Sequence, residues 1–297
     1  MSVEGVIGSA AVAVRRPRTY AATVAGQLRR HRGAMAGLAV LLLEVTVAVA
    51  APWIAPHDPI HQDLLAPLQP PSRAHPWGTD EVGRDVLSRV IYGARISLSV
   101  GLISVGIAGV GGVFLGLVSG YMGGVVGETI LRVMDLLLAF PGILLALAIV
   151  AVLGPGLFNV MIAVGIAGMP AFTRVTRAQT LAVREMDYVV GARAVGCTTG
   201  RILSRYILPN VLPSVIVLAT LGLAGSILTA AGLSFLGLGA QPPVPEWGAM
   251  VSLGRAFLRQ AWWVTTFPGV AIMVTVLAMN MLGDGLRDAL DPRLRRG

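Results

Sequence analysis

Few residues in this sequence are able to do chemistry, and their types exclude more than they offer. All 23 basic side chains are Arg, and none is Lys. Without Lys there is no P-loop, whose ammonium must reach the phosphates, and no Schiff-base chemistry. The chain is therefore not expected to be a conventional ATPase by itself. The single Cys, Cys197, excludes a disulfide framework and a cysteine-built metal site. It reads as an inert turn residue. His57, Asp58, His61 and Asp63 are of metal-ligand type and lie close in sequence. Their segment is Pro-rich, so helical i,i+4 geometry is not expected and no metal site is assigned. No Ser/His/Asp or Cys/His grouping emerges, and no catalytic residue is expected. Two acids fall in or beside apolar stretches. Glu44 reads as a carboxyl bonded at a helix interface, with a proton-relay role as the alternative. Asp135 follows Arg132 by three residues, which suits an i,i+3 pair.

The elements that must position these residues follow from composition. The chain has 297 residues, 55% hydrophobic and 13% charged, with a mean hydropathy of +0.76. A soluble domain carries about 25% charged residues. There is too little polar surface here to cover a water-soluble globule. A bilayer core needs about 20 apolar helical residues. Windows free of Asp, Glu, Lys and Arg run over 96–127, 136–173, 206–245 and 260–283, and 33–57 is interrupted only by Glu44. The second window breaks at Gly154-Pro155-Gly156, which suits a tight turn. Six spans result, near 34–52, 96–120, 131–153, 157–173, 210–233 and 264–284. The fold class is an all-α polytopic membrane protein, because open strands leave backbone groups unsatisfied in lipid. Residues 34–50 end in Ala48-Val49-Ala50, an A-x-A-like cleavage site. The long basic segment before them and Glu44 within them favour an uncleaved anchor.

Arg placement orients the spans. Six Arg precede residue 34 (Arg15, Arg16, Arg18, Arg29, Arg30 and Arg32), six lie in 174–209, and four follow residue 284. With six spans these segments share one side, which the positive-inside rule makes the cytoplasm. The expected organisation is a cytoplasmic tail 1–33, a first span, an extracytoplasmic loop 53–95, a five-helix core 96–284 with a cytoplasmic loop 174–209, and a cytoplasmic tail 285–297.

Within loop 174–209, Asp187 is a plausible N-cap for a short helix from Tyr188 to Val195, with Gly196 as its C′ residue. A second short helix from Gly200 runs up to Pro209. This helix–turn–helix reads either as an interfacial connector or as a docking element for a soluble partner. Gly112, Gly116, Gly120 and Gly124 recur every four residues and predict a smooth stripe for close helix packing. Trp247, Trp262 and Trp263 read as an aromatic belt at headgroup level. Met250, Leu253 and Phe257 predict a short amphipathic helix in loop 234–263.

The run Ala192-Arg193-Ala194-Val195-Gly196, followed after nine residues by Tyr206-Ile207-Leu208-Pro209, resembles the "EAA" loop of ABC importer permeases, E-A-A-x-x-x-G-x(9)-I-x-L-P. Val190 stands at the usual Glu, Gly191 at the first Ala and Tyr206 at the Ile. The segments from His75 to Leu98, from Leu233 to Gly248, Ala261-Trp262-Trp263, Phe267-Pro268-Gly269 and from Gly283 to Arg293 resemble the C-type permease subunits of dipeptide and oligopeptide importers. The likeness extends from about Arg29 to Arg295. It implies a type I ABC importer permease fold with six transmembrane helices in a bacterial inner membrane. It also implies that Asp187, Tyr188, Gly191, Ala192, Arg193, Gly196, Leu208 and Pro209 couple to an ATPase. The implied partners are a homologous B-type permease, two ATPase subunits carrying ATP and Mg, and an extracytoplasmic peptide-binding protein. No cofactor on this chain and no nucleic-acid partner are expected. The expected function is one half of the pathway of an ATP-driven importer of di- and oligopeptides. The alternatives are nickel, glutathione or haem as cargo, an ATP-independent secondary transporter, or a membrane-embedded enzyme.

Overall fold

The computed structural model describes residues 26–290. The Arg residues at 15, 16, 18, 293, 295 and 296 lie outside them. Ten α-helices occupy most of the described chain: α1 Arg32–Ile54, α2 Val86–Met122, α3 Gly124–Leu138, α4 Gly142–Leu153, α5 Leu157–Arg184, α6 Asp187–Ala194, α7 Thr199–Ile202, α8 Leu208–Phe235, α9 Trp247–Gly254 and α10 Trp262–Leu290. A π-helical turn, Leu203–Ile207, joins α7 to α8. Five helical runs are long and apolar enough to cross a membrane: α1, α2, α5, the run Thr199–Phe235 and α10. Helices α3 and α4 pass the same test only together, and they meet at 94°. The third expected span, one helix over 131–153, is thus two helices bent at a right angle. Pro141 supplies no N–H to continue α3 and restricts Phe140 before it, so the chain turns there.

Several other spans exceed their charge-free windows, α2 and α5 by the most at one end, and α10 runs past 283 to Leu290. Helix α2 starts at Val86, ten residues before 96, and includes Arg89 and Arg95. Asp85 caps it, accepting from Ser88 N. Helix α5 continues past residue 173 to Arg184. Charge alone did not end these helices: Arg89 and Arg174 find partners, and Arg95 is exposed.

The most extensive helix pairing is α2 against α5, and its seam explains the glycine spacing. A Cβ on Gly112 would lie 2.5 Å from Phe172 Cβ, one on Gly116 2.5 Å from Thr176 Cβ, and one on Gly120 2.7 Å from Thr180 Cβ. Gly165 of α5 answers from the other side, 2.7 Å from Ile107 Cβ. Here only hydrogen allows the backbones to meet. Gly124 is not part of this stripe. It opens α3 with φ +52°, beside Gly123 at +62°, and serves the turn between α2 and α3. Helix α1 lies on α10 and α2, with Gly37 against the Ala278 carbonyl. The Glu44 carboxylate meets the Thr275 hydroxyl of α10 at 2.9 Å, a contact between two spans at a helix interface.

Filling the α2–α5 seam is expected to separate the two helices. Gly116→Leu should lower the stability of the detergent-purified chain by about 1–3 kcal/mol or more. Gly106→Ala, whose Cβ meets nothing within 4 Å, should leave it unchanged. Thermal unfolding of both variants checks this.

Candidate functional site: an elbow between two spans

The chain between α5 and α8 folds into a compact elbow. Helix α6 begins at Asp187, and its N-cap is Met186. Asp187 is therefore the first helical residue and not the cap; its acid lies at the positive helix end without making the cap hydrogen bond. The helix closes as a Schellman motif. Gly196 N donates to Arg193 O at 3.0 Å and Cys197 N to Ala192 O at 3.0 Å, and Gly196 takes φ +78°. That left-handed conformation favours Gly; a Cβ there would meet nothing within 4 Å, so the constraint is the backbone and not the space.

The faces of α6 differ. Val189 is buried against Ile202, Ile207 and Val211, and Ala192 is buried as well. Tyr188, Val190 and Val195 are 47, 48 and 81% exposed, and Gly191, Arg193 and Gly196 also face out. An apolar outer surface on a short polar loop is unusual for a monomer. Leu208 and Pro209 do not join this surface. Leu208 lies along a groove between α2 and α8, with Leu117 and Leu212. Pro209 sits in the first turn of α8, where its missing N–H is no loss. The second short helix does not stop at Pro209 as expected: α7, the π turn and α8 run on continuously. Leu208 N bonds Leu203 O, the wider π register.

Arg residues brace the elbow. Arg184 donates to Gly120 O at 2.8 Å and Arg177 to Gly127 O at 3.2 Å, covering carbonyls around the α2–α3 turn. The Arg193 guanidinium lies 5.5 Å over the Tyr121 ring. Arg174 pairs with Asp135 at 2.6 Å. Asp135 thus reaches across to α5 and not back to Arg132, the partner expected from spacing.

At the opposite ends of these spans, loop 55–85 and α9 build a polar cap. Asp80 is its centre. Its Oδ1 accepts from Arg84 N at 2.9 Å and Val82 N at 3.1 Å. Its Oδ2 accepts from Arg84 Nε at 2.6 Å and faces Arg89 Nε at 3.4 Å. Arg89 is 2% exposed and donates to Pro59 O and Pro243 O, in two separate loops. Trp247 donates to Val90 O and rests where a Cβ on Gly93 would be. Trp263 donates to Thr79 O. Both rings are buried, so these two are packing anchors and not a belt. Trp262, half exposed, keeps a surface position. Glu246 caps α9, accepting from Gly248 N and Ala249 N. Burial pushes its carboxyl above the usual range, and those two amides oppose the shift.

Between α2, α4, α5 and α8 lies a cavity of about 260 Å³ lined by Phe172, Gly168, Gly222, Gly225, Ser226 and Thr229 among others. Sequence reasoning named no cavity residue. The only sequence signal was a density of Gly and small hydroxyl residues in α5 and α8.

Residues 112–296 match the family described as "Binding-protein-dependent transport system inner membrane component", well over half of the chain. The chain belongs to this family. Residues 19–71 match the "N-terminal TM domain of oligopeptide transport permease C". The permease is 49% identical over 275 residues, 89% of each chain, to the Di/tripeptide transport system permease protein DppC of Pseudomonas aeruginosa. It is 48% identical over 269 residues, 90% of this chain and 89% of the other, to the Glutathione transport system permease protein GsiD of Pectobacterium atrosepticum. Among solved structures, an inward-facing MetNI methionine ABC transporter chain superposes with a TM-score of 0.53 at 19% identity, covering 68% of this chain and 96% of that one. The fold is that of a type I ABC importer permease, and the protein is a multi-pass inner-membrane transport subunit.

The cap of the permease depends on one carboxylate. Asp80→Asn leaves two buried guanidinium groups short of their counter-charge, at a cost of about 3–5 kcal/mol. Folded yield and thermal midpoint should fall sharply. Glu81→Gln, at the cap's more open edge, should have a much smaller effect in the same assay.

Proposed function

We propose that this permease forms one half of the translocation pathway of an ATP-driven, binding-protein-dependent importer of short peptides. The other half is a homologous B-type permease. Two separate ATPase subunits, carrying ATP and Mg, grip α6, and an extracytoplasmic peptide-binding protein delivers cargo. The elbow and both termini lie on the cytoplasmic side, where the Arg-rich segments gather. This chain supplies no catalytic residue and binds no cofactor for transport.

The observation that carries this reading is the outward apolar face of α6 on an internally locked elbow. Tyr188, Val190 and Val195 offer a hydrophobic patch to a groove, while Val189 holds the peg to α5, α7 and α8. Val190, where the resemblance anticipates Glu, makes the contact apolar. Displacement of α6 is passed to α5, joined to it by only two residues, and through the glycine seam to α2. Two arrangements of these packed helices give alternating access.

Peptide cargo is supported by relatives named for di- and tripeptide and glutathione transport, all small amide-linked amino-acid chains. We seat the path in the cavity near Ser226 and Thr229. Its small residues and hydroxyls suit a pathway that must pass varied side chains.

Gly196→Val should abolish the locked elbow through strain at φ +78°. Peptide uptake and peptide-stimulated ATPase in proteoliposomes are expected to fall at least tenfold, with membrane insertion unchanged. A Val195→Cys probe in a Cys197→Ser background should cross-link to an ATPase subunit. Ala192, which is turned inward, should not. Normal uptake by Gly196→Val, together with no cross-link at 195, rejects the coupling role.

Ser226→Trp should obstruct the cavity and lower uptake strongly while preserving the cross-link at 195. Uptake at the native rate would move the path elsewhere.

A further inference from the structure

The cap brings together three side chains of metal-ligand type from three separate segments. His57 follows the end of α1, His75 lies in the loop, and Asp85 caps α2. His75 Nδ1 is 3.0 Å from Asp85 Oδ1, and His57 Nδ1 is 3.7 Å from the same oxygen. The two imidazoles face each other with centroids 4.6 Å apart. All three ligand atoms lie within 4.8 Å of one another. Bonds of about 2.0–2.1 Å in a tetrahedral shell hold neighbouring ligand atoms roughly 3.3 Å apart, so sub-ångström side-chain shifts bring these donors around one ion.

The surroundings leave these atoms available. Asp85 Oδ2 is occupied by Ser88 N at 2.8 Å and the Ser88 hydroxyl at 2.7 Å, which turns Oδ1 toward the two rings. His57 N donates to the same Ser88 hydroxyl at 3.0 Å. One side chain therefore orients two of the three donors from behind, the support that metal ligands characteristically have. The nearby guanidinium groups of Arg84 and Arg89 are directed at Asp80 and Glu81, and Asp85 takes part in neither pair. The Asp85 side chain is 1% exposed, whereas His57 and His75 are 41% and 23% exposed. The result is a buried anionic anchor under two accessible imidazoles. The neighbours considered from sequence serve other ends: Asp58 and Asp63 accept from the amides of Ile60 and Leu65.

We propose that His57, His75 and Asp85 form a binding site for a borderline divalent cation of the Zn²⁺ type, with water or an external ligand completing the shell. Two imidazoles and one carboxylate match the donor preference of that class and not that of Mg²⁺ or Ca²⁺. The cation ties the exit of α1 to the entry of α2. The site is independent of the cargo and of the coupling elbow.

The test uses the full chain, tag removed, purified in detergent and stripped with EDTA. Zn²⁺ is titrated against a chromogenic chelator, with Mg²⁺ as control. One equivalent should bind with a dissociation constant in the micromolar range or tighter, and Mg²⁺ should not compete. His57→Ala/His75→Ala should weaken binding at least tenfold, while His61→Ala should bind like the parent protein. X-ray absorption of the Zn²⁺-loaded parent should show two imidazole nitrogens near 2.0 Å, a readout that does not require the variants to fold. Absence of stoichiometric binding, unchanged affinity in the double variant, or fewer than two imidazoles in the shell overturns the proposal.

Discussion

A single carboxylate, Asp80, holds the outer end of this permease in register. It is almost wholly buried and faces two guanidinium groups, one of which, Arg89, lies within the first turns of α2. Buried charges survive only when paired and fully hydrogen-bonded. Asp80 achieves this by spending both oxygens on Arg side chains and on the amides of its own turn. The consequence reaches beyond the loop. Once neutralised, Arg89 can lie inside a helix and extend two more hydrogen bonds to the loops at Pro59 and Pro243. The loop after α1, the start of α2 and the loop before α9 are thereby fixed to one another. Trp247 and Trp263 fill the spaces this framework leaves.

The elbow at the other end is built on the same rule with different materials. No acid is buried there. Arg177 and Arg184 instead donate to the Gly127 and Gly120 carbonyls, on either side of the α2–α3 turn. A polar group supplied by the end of one helix thus licenses the charged extension of another. The glycine seam between α2 and α5 makes the arrangement stiff, since neither helix can rotate without driving backbone into backbone. The outer surface of α6 is left free of these duties, which is why its exposed residues can be apolar.

Much of this was legible in the sequence. Charge-free windows led to α1 and α8 to within a few residues, because lipid-facing helices carry few charges whatever their partners; α10 runs six residues past the expected end. The same windows cut α2 and α5 short. A window stops at Arg95 and at Arg174; it cannot see that Arg95 is exposed to solvent, nor that Asp135 waits for Arg174 across space. The Gly196 stop was readable because its cause is local: a helix end needs φ > 0 there. The Asp135 partner, the burial of Trp247 and Trp263, and the convergence of His57 with His75 and Asp85 were not, because each depends on segments distant in the chain. The family motifs conveyed identity without geometry, so the right-angled break at Pro141 stayed hidden inside what read as one span.

The length of α5 has a mechanical corollary. About 24 Å of helix separates Gly168, beside the cavity, from Arg184, at the elbow. A stiff rod of that length tilted by some 5° moves its far end by about 2 Å, roughly half the width of a methyl group. Large travel at the elbow is therefore not required; a modest displacement at one end of α5 suffices to move the other.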